Sequence, residues 1–256
     1  MSHRIFGLVG HPLGHSFSRA FFNKIFAERN MDAEYCNFDL EDISTIRQLI
    51  SSNPEICGLN VTIPYKEAVI PYLDDLDDTA RIVGAVNVIK IERGADNALI
   101  LKGFNSDVTG FARAFCSLLN SPFSPRNALV LGTGGASKAA AFALTRAGLN
   151  VNRVSRNPKD NQLSYADLRN PAVINHYGVI VNATPLGTYP KVDACPDFPY
   201  ELLSPAHLCF DLVYNPPLTL FLQRCAQQGC TIKNGLQMLH VQALEAYRIW
   251  TGKNLI

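Results

Sequence analysis

The chain has almost no excess of charge of either sign. Its 256 residues include 23 Lys and Arg against 22 Asp and Glu, which leaves a formal net charge of +1. No run of Lys or Arg stands out, so the sequence carries no electrostatic footprint for a nucleic acid or an anionic membrane surface. A hydrophobic content of 47% and a charged content of 18% are those of an ordinary soluble globular protein.

Long apolar runs are also missing. None approaches the roughly 20 residues that a helix needs to cross a bilayer. The first residues, "MSHRIFGLVGHPLGHS", are broken early by Gly and Pro and lack the basic, apolar and small-residue order of a signal peptide. We therefore expect a cytoplasmic protein with neither a membrane nor a nucleic acid as partner.

Patterns for disulfides and metal sites are absent as well. The seven cysteines are odd in number, scattered and without a CxxC pair, which predicts neither a disulfide framework nor a zinc site. The six histidines, including His11 and His15, have no second ligand cluster beside them. We interpret them as structural and predict no metal.

What the chain does contain is a regular alternation of short apolar runs with amphipathic stretches. The runs "RIFGLVG", "AEYCNFDL" and "ICGLNVTI" predict strands, and "SRAFFNKIFAERN" and "ISTIRQLISS" between them predict helices. Such alternation is typical of βαβ units, so the predicted fold class is α/β with a mostly parallel sheet. The segments "AVNVIKIE" and "ALILKGF", on either side of "RGADN", predict a hairpin at the edge of this sheet.

A second alternating series follows and predicts a second α/β domain. It contains "ALVLG", a helix from Ser137 to about Ala147, and the strands "NVNRVS", "VIVNAT" and "LCFDLVY". The amphipathic segment "LQMLHVQALEAYRIW" predicts a closing helix that returns to the first domain after Gly235. The predicted domains are residues 1–103 with 236–256, and residues 104–235.

A glycine-rich turn opens the second series. In "NALVLGTGGASKAAAFALTRAG", Gly132 allows a tight turn and Gly134 allows the backbone to approach a pyrophosphate. Ser137 takes the third position of a GxGxxG pattern, and the helix that follows offers free N–H groups and the positive end of its dipole. The order strand, turn, helix favours a dinucleotide site over its alternative, a plain α/β turn.

The strand after this helix lacks an acidic residue at its end. A carboxylate there would bind the ribose 2′-hydroxyl of NAD. Ser155 and Arg156 stand at that point and Lys159 follows, so the segment suits a 2′-phosphate and predicts NADP(H) as cofactor. The alternative is a solvated Arg in a surface loop.

A hydride-transfer enzyme also needs a group that protonates or deprotonates the substrate oxygen. Lys66, at the end of "GLNVTIPYK", and Asp107, at the end of "GFNSD", are candidates for that pair. From the nine residues alone, the alternative for Lys66 is a solvated side chain in a turn.

Motifs over nearly the whole chain make the sequence similar to one family. They are, in chain order, "GHSFS", "GLNVTIPYK", "GAVNV", "GFNSD", "GTGGAS", "NATPLGT", "DLVYNP" and "NGLQMLHVQA". The chain resembles the shikimate dehydrogenase family (shikimate/quinate dehydrogenases). The resemblance implies an N-terminal substrate domain, a Rossmann-like NADP-binding domain and NADP-dependent, reversible reduction of 3-dehydroshikimate to shikimate in aromatic amino-acid (chorismate) biosynthesis.

The resemblance also implies roles for single residues. Lys66 and Asp107 would be catalytic, and the substrate would be held by Ser16, Ser18, Thr62, Asn87, Asp107, Tyr214 and Gln242. The cofactor would be bound by Gly132, Thr133, Gly134, Gly135, Ala136, Ser137, Ser155, Arg156, Lys159, Thr184, Leu212, Gly235, Met238 and Asp78. Each has a structural alternative: helix capping for the serines, strand-end hydrogen bonding for Thr62 and Asn87, an interface aromatic for Tyr214. Solvated helix positions are the alternatives for Gln242 and Asp78, and apolar packing is the alternative for Leu212, Gly235 and Met238.

The chain departs from the family at several motif positions. It has "SFSR" for SxSP, "GAVNV" for GAVNT, "NSD" for NTD, and Ser155, Arg156 and Asn157 for an Asn-Arg-Thr triplet. The altered triplet keeps only its Arg. Two other functions stay open: a quinate/shikimate dehydrogenase of broader specificity, against which the paired serines argue, and a catalytically silent NADP-binding regulator, against which Lys66 and Asp107 argue. The sequence leaves a monomer and a homodimer both open.

Overall fold

The computed structural model describes residues 3–14, 16–94, 98–118, 125–159 and 161–256. The chain divides into two compact units. The first unit is Met1–Ser106 with Ala243–Ile256, and the second unit is Asp107–Gln242. No helix of the described residues is long and apolar enough to span a membrane.

A mixed sheet forms the centre of the first unit. Its strands, in the spatial order β2-β1-β3-β5-β6-β4, are β1 Arg4–Gly10, β2 Ala33–Asp39, β3 Ile56–Val61, β4 Asp75–Leu76, β5 Val88–Arg93 and β6 Leu99–Phe104. β1 pairs in parallel with β2 and β3, whereas β5 is antiparallel to both β3 and β6. The predicted hairpin is therefore present, although residues 95–97 of its connection lie outside the described residues.

The sheet is mixed, because the hairpin enters it antiparallel to β3, but the pairs β1–β2, β1–β3 and β4–β6 are parallel, so most of its pairs are parallel as expected. One expectation is wrong: the hairpin is not at the edge, because β4 pairs with β6 on its outer side. β4 is only two residues long, which is too short for an alternation of apolar and polar residues to predict a strand there.

The helices of the first unit cover this sheet. They are α1 Phe17–Glu28, α2 Ile46–Ser52 and α3 Asp78–Val83, joined by the end of the last helix of the chain, α8 Leu236–Thr251. α1 buries Phe22, Ile25 and Phe26, the three- and four-residue spacing of one helix face. Phe22 stacks on Tyr35 of β2, and the indole N–H of Trp250 in α8 donates to the carbonyl of Ile89 at 3.1 Å. One aromatic core thus joins α1, α8 and the sheet.

Every strand pair in the second unit is parallel. The strands are β7 Asn127–Leu131, β8 Asn150–Ser155, β9 Gln162–Ser164, β10 Val179–Asn182, β11 Leu208–Asp211 and β12 Thr231–Lys233. Their spatial order is β12-β11-β10-β7-β8-β9. After β7, strands β8 and β9 are added on one side, and β10, β11 and β12 are added on the other, so the switch point lies between β7 and β10. That order is the doubly wound one, in which ligands bind at the carboxyl ends of the strands beside the switch point.

The helices of the second unit are α4 Ser106–Cys116, α5 Gly135–Arg146, α6 Pro171–His176, α7 Leu220–Gln227 and the start of α8. α5 begins two residues before the predicted Ser137, because Gly134 is already its N-cap. A Cβ on Gly110 of α4 would lie 2.7 Å from the carbonyl oxygen of Met238, so the first turns of α8 pack closely on α4.

The contact pattern places the unit boundaries at 106/107 and 242/243, whereas the sequence predicted residues 103 and 235. The second difference has a packing cause. Met238 belongs to the apolar core of the second unit, whereas Ala243 and Ala246 belong to that of the first. The change therefore falls inside α8, where a continuous helical pattern gives no sequence signal.

Candidate dinucleotide and substrate sites

The turn between β7 and α5 has the geometry of a phosphate cradle. Gly132 has a φ of +109°, which favours glycine, and its N–H donates to the carbonyl of Val154 at 3.0 Å. Gly134 is exposed, and apart from its own backbone and its neighbours in the chain, no atom of the described residues lies within 4 Å of the place where its Cβ would be. The backbone is therefore open to a ligand at Gly134.

The N-terminus of α5 points its free N–H groups into the same turn. No side chain of the described residues caps its first turn at Gly134. The hydroxyl of Ser137, which is fully buried, instead donates to the carbonyl of Gly132 at 2.6 Å and ties the helix to the turn. Uncapped N–H groups and the helix dipole would suit a pyrophosphate, and Thr133, Gly135 and Ala136 form the rest of this turn.

The end of β8 is exposed and basic. Ser155 accepts a hydrogen bond from the N–H of Asn157 at 3.1 Å, and both Arg156 and Lys159 are exposed. Burial raises the pKa of Tyr165, and the positive charge of Arg156 lowers it in part, so the guanidinium lies near that ring. The arrangement is compatible with an anion beyond β8 and equally with the solvated-Arg alternative.

The carboxyl ends of β10 and β11 carry a buried polar cluster. Asn182 ends β10 and Asp211 ends β11, and both are fully buried. The Asn182 Nδ2 donates to the Asp211 Oδ1 at 3.0 Å, and the Thr184 hydroxyl donates to the Asn182 Oδ1 at 2.7 Å. The Thr219 hydroxyl donates to the Asp211 Oδ2 at 2.5 Å. The sequence predicted a cofactor role only for Thr184.

Gly235 and Leu212 lie against each other beside this cluster. A Cβ on Gly235 would lie 2.1 Å from the carbonyl oxygen of Leu212, so only glycine fits. Met238 is buried in the apolar core of the second unit, and Leu212 packs against the same core. Apolar packing, the alternative to a cofactor role, therefore describes the side chains of Met238 and Leu212. Their contact with a cofactor remains a prediction.

Burial raises the pKa of the Asp211 carboxyl to about 6, although hydrogen bonds from Thr219, Val213 and Asn182 oppose the shift. Because the folded state then holds the proton more tightly than the unfolded chain, this group stabilises the fold fully below its ordinary pKa of 3.8 and loses that contribution as pH rises through about 6.

Asp211→Asn removes this titration. Two pKa units correspond to about 3 kcal/mol, so the free energy of unfolding of the wild type should fall relative to the variant by about that amount between pH 4 and pH 7. Urea unfolding of both proteins across that range measures the difference. A constant difference would show that Asp211 titrates like an exposed Asp.

In the first unit, Lys66 lies in the segment that follows β3, and backbone and side-chain hydrogen bonds hold that segment. The buried Tyr65 donates its hydroxyl to the carbonyl of Leu40 at 2.6 Å, and the carbonyl of Lys66 itself accepts from the N–H of Val86 at 2.7 Å. Thr62, just before, has its N–H bonded to the carbonyl of Val9 at 2.9 Å. The backbone on both sides of Lys66 is thus fixed, and the residue is half-buried, unlike a solvated turn Lys.

Asn87 lies buried at the start of the hairpin. Its Oδ1 accepts from the N–H of Ser106 at 2.7 Å, and its Nδ2 donates to the Ser106 hydroxyl at 3.0 Å. Asn87 therefore does act as a hydrogen-bonding residue at a strand end, which was the alternative to a substrate role. Its bonds join the start of β5 to Ser106, where the first segment of the first unit ends. Asp107, the next residue, lies buried in the first turn of α4 in the second unit.

Ser16 and Ser18 stand at the start of α1. The Ser16 Oγ accepts from the N–H of Arg19 at 3.2 Å, so Ser16 does cap the helix. Burial raises the pKa of the Tyr35 hydroxyl far above its usual range, and the nearby Ser18 side chain opposes that shift. Tyr35 in turn donates to the Asn60 Oδ1 at 2.8 Å.

The remaining predicted site residues differ in burial. Asp78 is exposed in the first turn of α3, which agrees with its solvated alternative. Tyr214 is half-buried, which raises the pKa of its hydroxyl, and Gln242 is half-buried in α8.

Comparison with known proteins adds a family. Residues 8–89 match the model of the shikimate dehydrogenase substrate binding domain. A shikimate dehydrogenase (NADP(+)) of Methanosphaera stadtmanae is 37% identical over 97% of this chain and 92% of its own length. The chain belongs to the shikimate dehydrogenase family.

Solved structures of shikimate dehydrogenases agree. One in complex with NADP+ superposes with a TM-score of 0.85 at 32% identity, over 98% of this chain and 91% of its own. Another, from Thermus thermophilus in complex with NADP(H) and shikimate, superposes with a TM-score of 0.83 at 32% identity, over 98% and 94%. The predicted fold class of this shikimate dehydrogenase family member, two α/β domains of which the second is Rossmann-like, is confirmed.

His11, near the serine motif, makes a structural contact. The His11 Nδ1 lies 2.7 Å from the Asp39 Oδ1, and the N–H of Leu13 donates to the Asp39 Oδ2 at 2.9 Å. These contacts lower the pKa of Asp39, chiefly through the Leu13 N–H. His15 lies outside the described residues. Among the described residues, no group of three or more His, Cys, Asp or Glu is arranged to hold a metal ion.

Sequence reasoning missed the residues that support these sites. Asn182 and Asp211 stand in motifs that it quoted, "NATPLGT" and "DLVYNP", yet neither received a role. Tyr35 and Asn60 lie 25 positions apart in sequence, so no local spacing connects them. A polar residue at the last position of an otherwise apolar strand is the one signal that could have found Asn182 and Asp211.

Proposed function

We propose that this protein is an NADP-dependent shikimate dehydrogenase, an oxidoreductase that reversibly reduces 3-dehydroshikimate to shikimate in aromatic amino-acid (chorismate) biosynthesis. The observation that carries the proposal is the uncapped, glycine-lined start of α5 in a chain whose relatives are shikimate dehydrogenases over nearly their full length. The relatives' name, shikimate dehydrogenase (NADP(+)), supports both the reaction and the cofactor.

The second unit is proposed to bind NADP(H), and the first unit to bind the substrate. Pyrophosphate would lie on Gly132–Ser137, with Thr184 beside it, and the 2′-phosphate would lie on Ser155, Arg156 and Lys159. Leu212, Gly235 and Met238 would line the nicotinamide pocket, and Asp78 is kept as a cofactor contact from the resemblance alone. When bound, the reduced nicotinamide supplies a hydride to the substrate carbonyl carbon.

Hydroxyl and amide groups are proposed to hold the substrate. Ser16 and Ser18 would donate to its carboxylate, because a hydroxyl that accepts one hydrogen bond can still donate its own hydrogen. The ring hydroxyls would bond to Thr62, Asn87, Asp107, Tyr214 and Gln242. The rigid mounting of Asn87 on Ser106 supports this role, since such a group loses little freedom when a ligand binds.

Lys66 is proposed as the acid/base group. Its ammonium stabilises the negative charge that develops on the carbonyl oxygen and transfers a proton to that oxygen as the alcohol forms. Asp107 would orient the ammonium and keep it charged. In the reverse direction the neutral amine accepts the proton of the alcohol. After reduction Lys66 takes up a proton from solvent, and after oxidation it releases one to solvent, which restores its starting state.

The direct test is to follow NADPH formation by absorbance with shikimate as substrate, and then with quinate. Turnover with shikimate and little with quinate is expected. Comparable turnover with both would favour the broader quinate/shikimate dehydrogenase. No turnover with either, together with tight NADPH binding, would favour the silent regulator.

The cytoplasmic location predicted from the sequence remains a prediction.

A prediction on coenzyme choice follows from Arg156. One charge-assisted contact to the 2′-phosphate is worth about 1.5–3 kcal/mol, so NADP should be preferred over NAD by at least about 10- to 100-fold in affinity. Arg156→Ala should remove most of that preference by weakening NADP while hardly changing NAD. Dissociation constants for both coenzymes, measured by fluorescence titration, test it.

Arg146→Ala is the matched control, because Arg146 is exposed in the last turn of α5, at the opposite end of that helix. It should leave both affinities unchanged. Equal affinity of the wild type for NADP and NAD would contradict the assignment and show that Arg156 is the solvated residue of the alternative.

A further inference from the structure

Asn182 and Asp211 connect two loops at the carboxyl ends of neighbouring parallel strands. Both side chains are fully buried, and they bond to each other at 3.0 Å. Buried amide and carboxylate groups cost free energy unless they are hydrogen-bonded, and apolar residues would fill the same space without that cost. Their contacts with the loops therefore indicate what they are for.

On one side the pair holds the loop after β10. The Asn182 Oδ1 accepts both the N–H of Thr184, at 3.0 Å, and its hydroxyl, at 2.7 Å. The Thr184 methyl lies 3.4 Å from where a Cβ on Gly132 would be, so this loop lies against the glycine-rich turn. Asn182 thereby fixes the distance between Thr184 and that turn.

On the other side the pair holds the loop between β11 and α7 at both ends. The Asp211 Oδ1 accepts the N–H of Val213 at 2.9 Å, and the N–H of Leu212 donates to the carbonyl of Asn182 at 2.9 Å. At the far end, Thr219 donates to the Asp211 Oδ2, and the same Thr219 oxygen accepts from the N–H of Leu222 as the cap of α7. One carboxylate thus closes the loop.

The backbone at Gly235 contacts the loop after β11, so the position of Leu212 constrains that of Gly235. The N–H of Gly235 donates to the carbonyl of Val213 at 3.1 Å, and the Leu212 carbonyl fills the space of the missing Gly235 Cβ. A shift of the loop after β11 therefore moves the start of α8 as well. Leu212, Gly235 and Thr184 are among the residues that the proposed function assigns to the cofactor outside the glycine-rich turn.

We propose that Asn182, Asp211 and Thr219 are positioning residues that set the loops for the nicotinamide half of NADP(H), without touching the cofactor themselves. β10 borders the switch point of the doubly wound sheet, where a dinucleotide crosses the strand ends, and β11 follows it. This inference rests on the proposed function for the identity of the cofactor and adds the groups that hold its nicotinamide side.

The experiment compares Thr219→Val with Thr219→Ser. Valine keeps the shape and removes the hydroxyl, whereas serine keeps the hydroxyl. Loss of a hydrogen bond to a charged group can cost 10-fold or more, so the NADPH dissociation constant should rise about 10-fold in Thr219→Val. Thr219→Ser should stay within about two-fold of the wild type. Binding is measured by NADPH fluorescence without substrate.

A second ligand separates positioning from loss of stability. Adenosine 2′,5′-bisphosphate carries the adenosine half of NADP and no nicotinamide, so its affinity should be unchanged in Thr219→Val and in Asp211→Asn. Asn127→Ala is the control. Asn127 is the first residue of β7, at the amino ends of the strands and so away from the Asn182–Asp211 pair, and its Nδ2 donates to the carbonyl of His176. It should change neither affinity.

Equal weakening of NADPH and the bisphosphate, or no change for NADPH, would overturn the inference and leave the cluster as part of the core. Because binding is measured without shikimate, a wild type that binds NADPH but does not oxidise shikimate would sink the proposed reaction alone. A wild type that binds no NADPH would overturn both.

Discussion

Lys66→Ala should lower kcat by about two to four orders of magnitude, the usual range for a positioned proton-transfer group. If Lys66 has the proposed role, the barrier rises because its ammonium no longer stabilises the developing alkoxide or supplies its proton. The fold should persist, since the backbone carbonyl of Lys66, which accepts from the N–H of Val86, is retained in the variant. Initial rates of NADPH formation at saturating shikimate measure the loss, and the melting temperature checks the fold.

Lys24→Ala is the matched control. Lys24 is an exposed residue of α1 whose ammonium lies 3.8 Å from Glu28, an ion pair worth little in water. This variant should turn over like the wild type. If Lys66→Ala also kept wild-type turnover, Lys66 would be only a structural residue of the turn after β3, and the acid/base group would have to be sought elsewhere.

Gly235→Ala should destabilise the protein by about 3 kcal/mol, the upper end of the range for overpacking. The added Cβ would lie 2.1 Å from the carbonyl oxygen of Leu212 and 2.7 Å from its carbonyl carbon. These are backbone atoms that cannot rotate away, and Leu212 is itself bonded to Asn182. The strain must therefore move β11 or the start of α8, so NADPH affinity should fall together with the free energy of unfolding.

Gly14→Ala is the comparison for this variant. Among the described residues, no atom lies within 4 Å of the place where a Cβ on Gly14 would be. Its free energy of unfolding should therefore stay within about 1 kcal/mol of the wild type. Urea unfolding measures both variants. A Gly235→Ala protein as stable as Gly14→Ala would mean that Leu212 and Gly235 separate easily.

Local patterns in the sequence predicted most of the elements around the candidate sites. The GxGxxS turn predicted the strand, turn and helix of β7 and α5, because glycine positions and a helix pattern are adjacent in the chain. The alternation of strand and helix predicted two α/β domains. It did not predict β4, which is two residues long, and it placed the second boundary at residue 235, whereas one unbroken helix, α8, contributes to both cores.

By itself, the sequence determined the α/β class, the glycine-lined turn and the family, because each depends on residue types at short, fixed spacings. Only the tertiary structure decided which distant polar groups meet. Asn182 reaches Asp211 across 29 positions because β10 and β11 pair in parallel and in register, and Tyr35 reaches Asn60 because one sheet carries both β2 and β3. Strand pairing is set by the burial of whole faces in the core, which no local pattern contains.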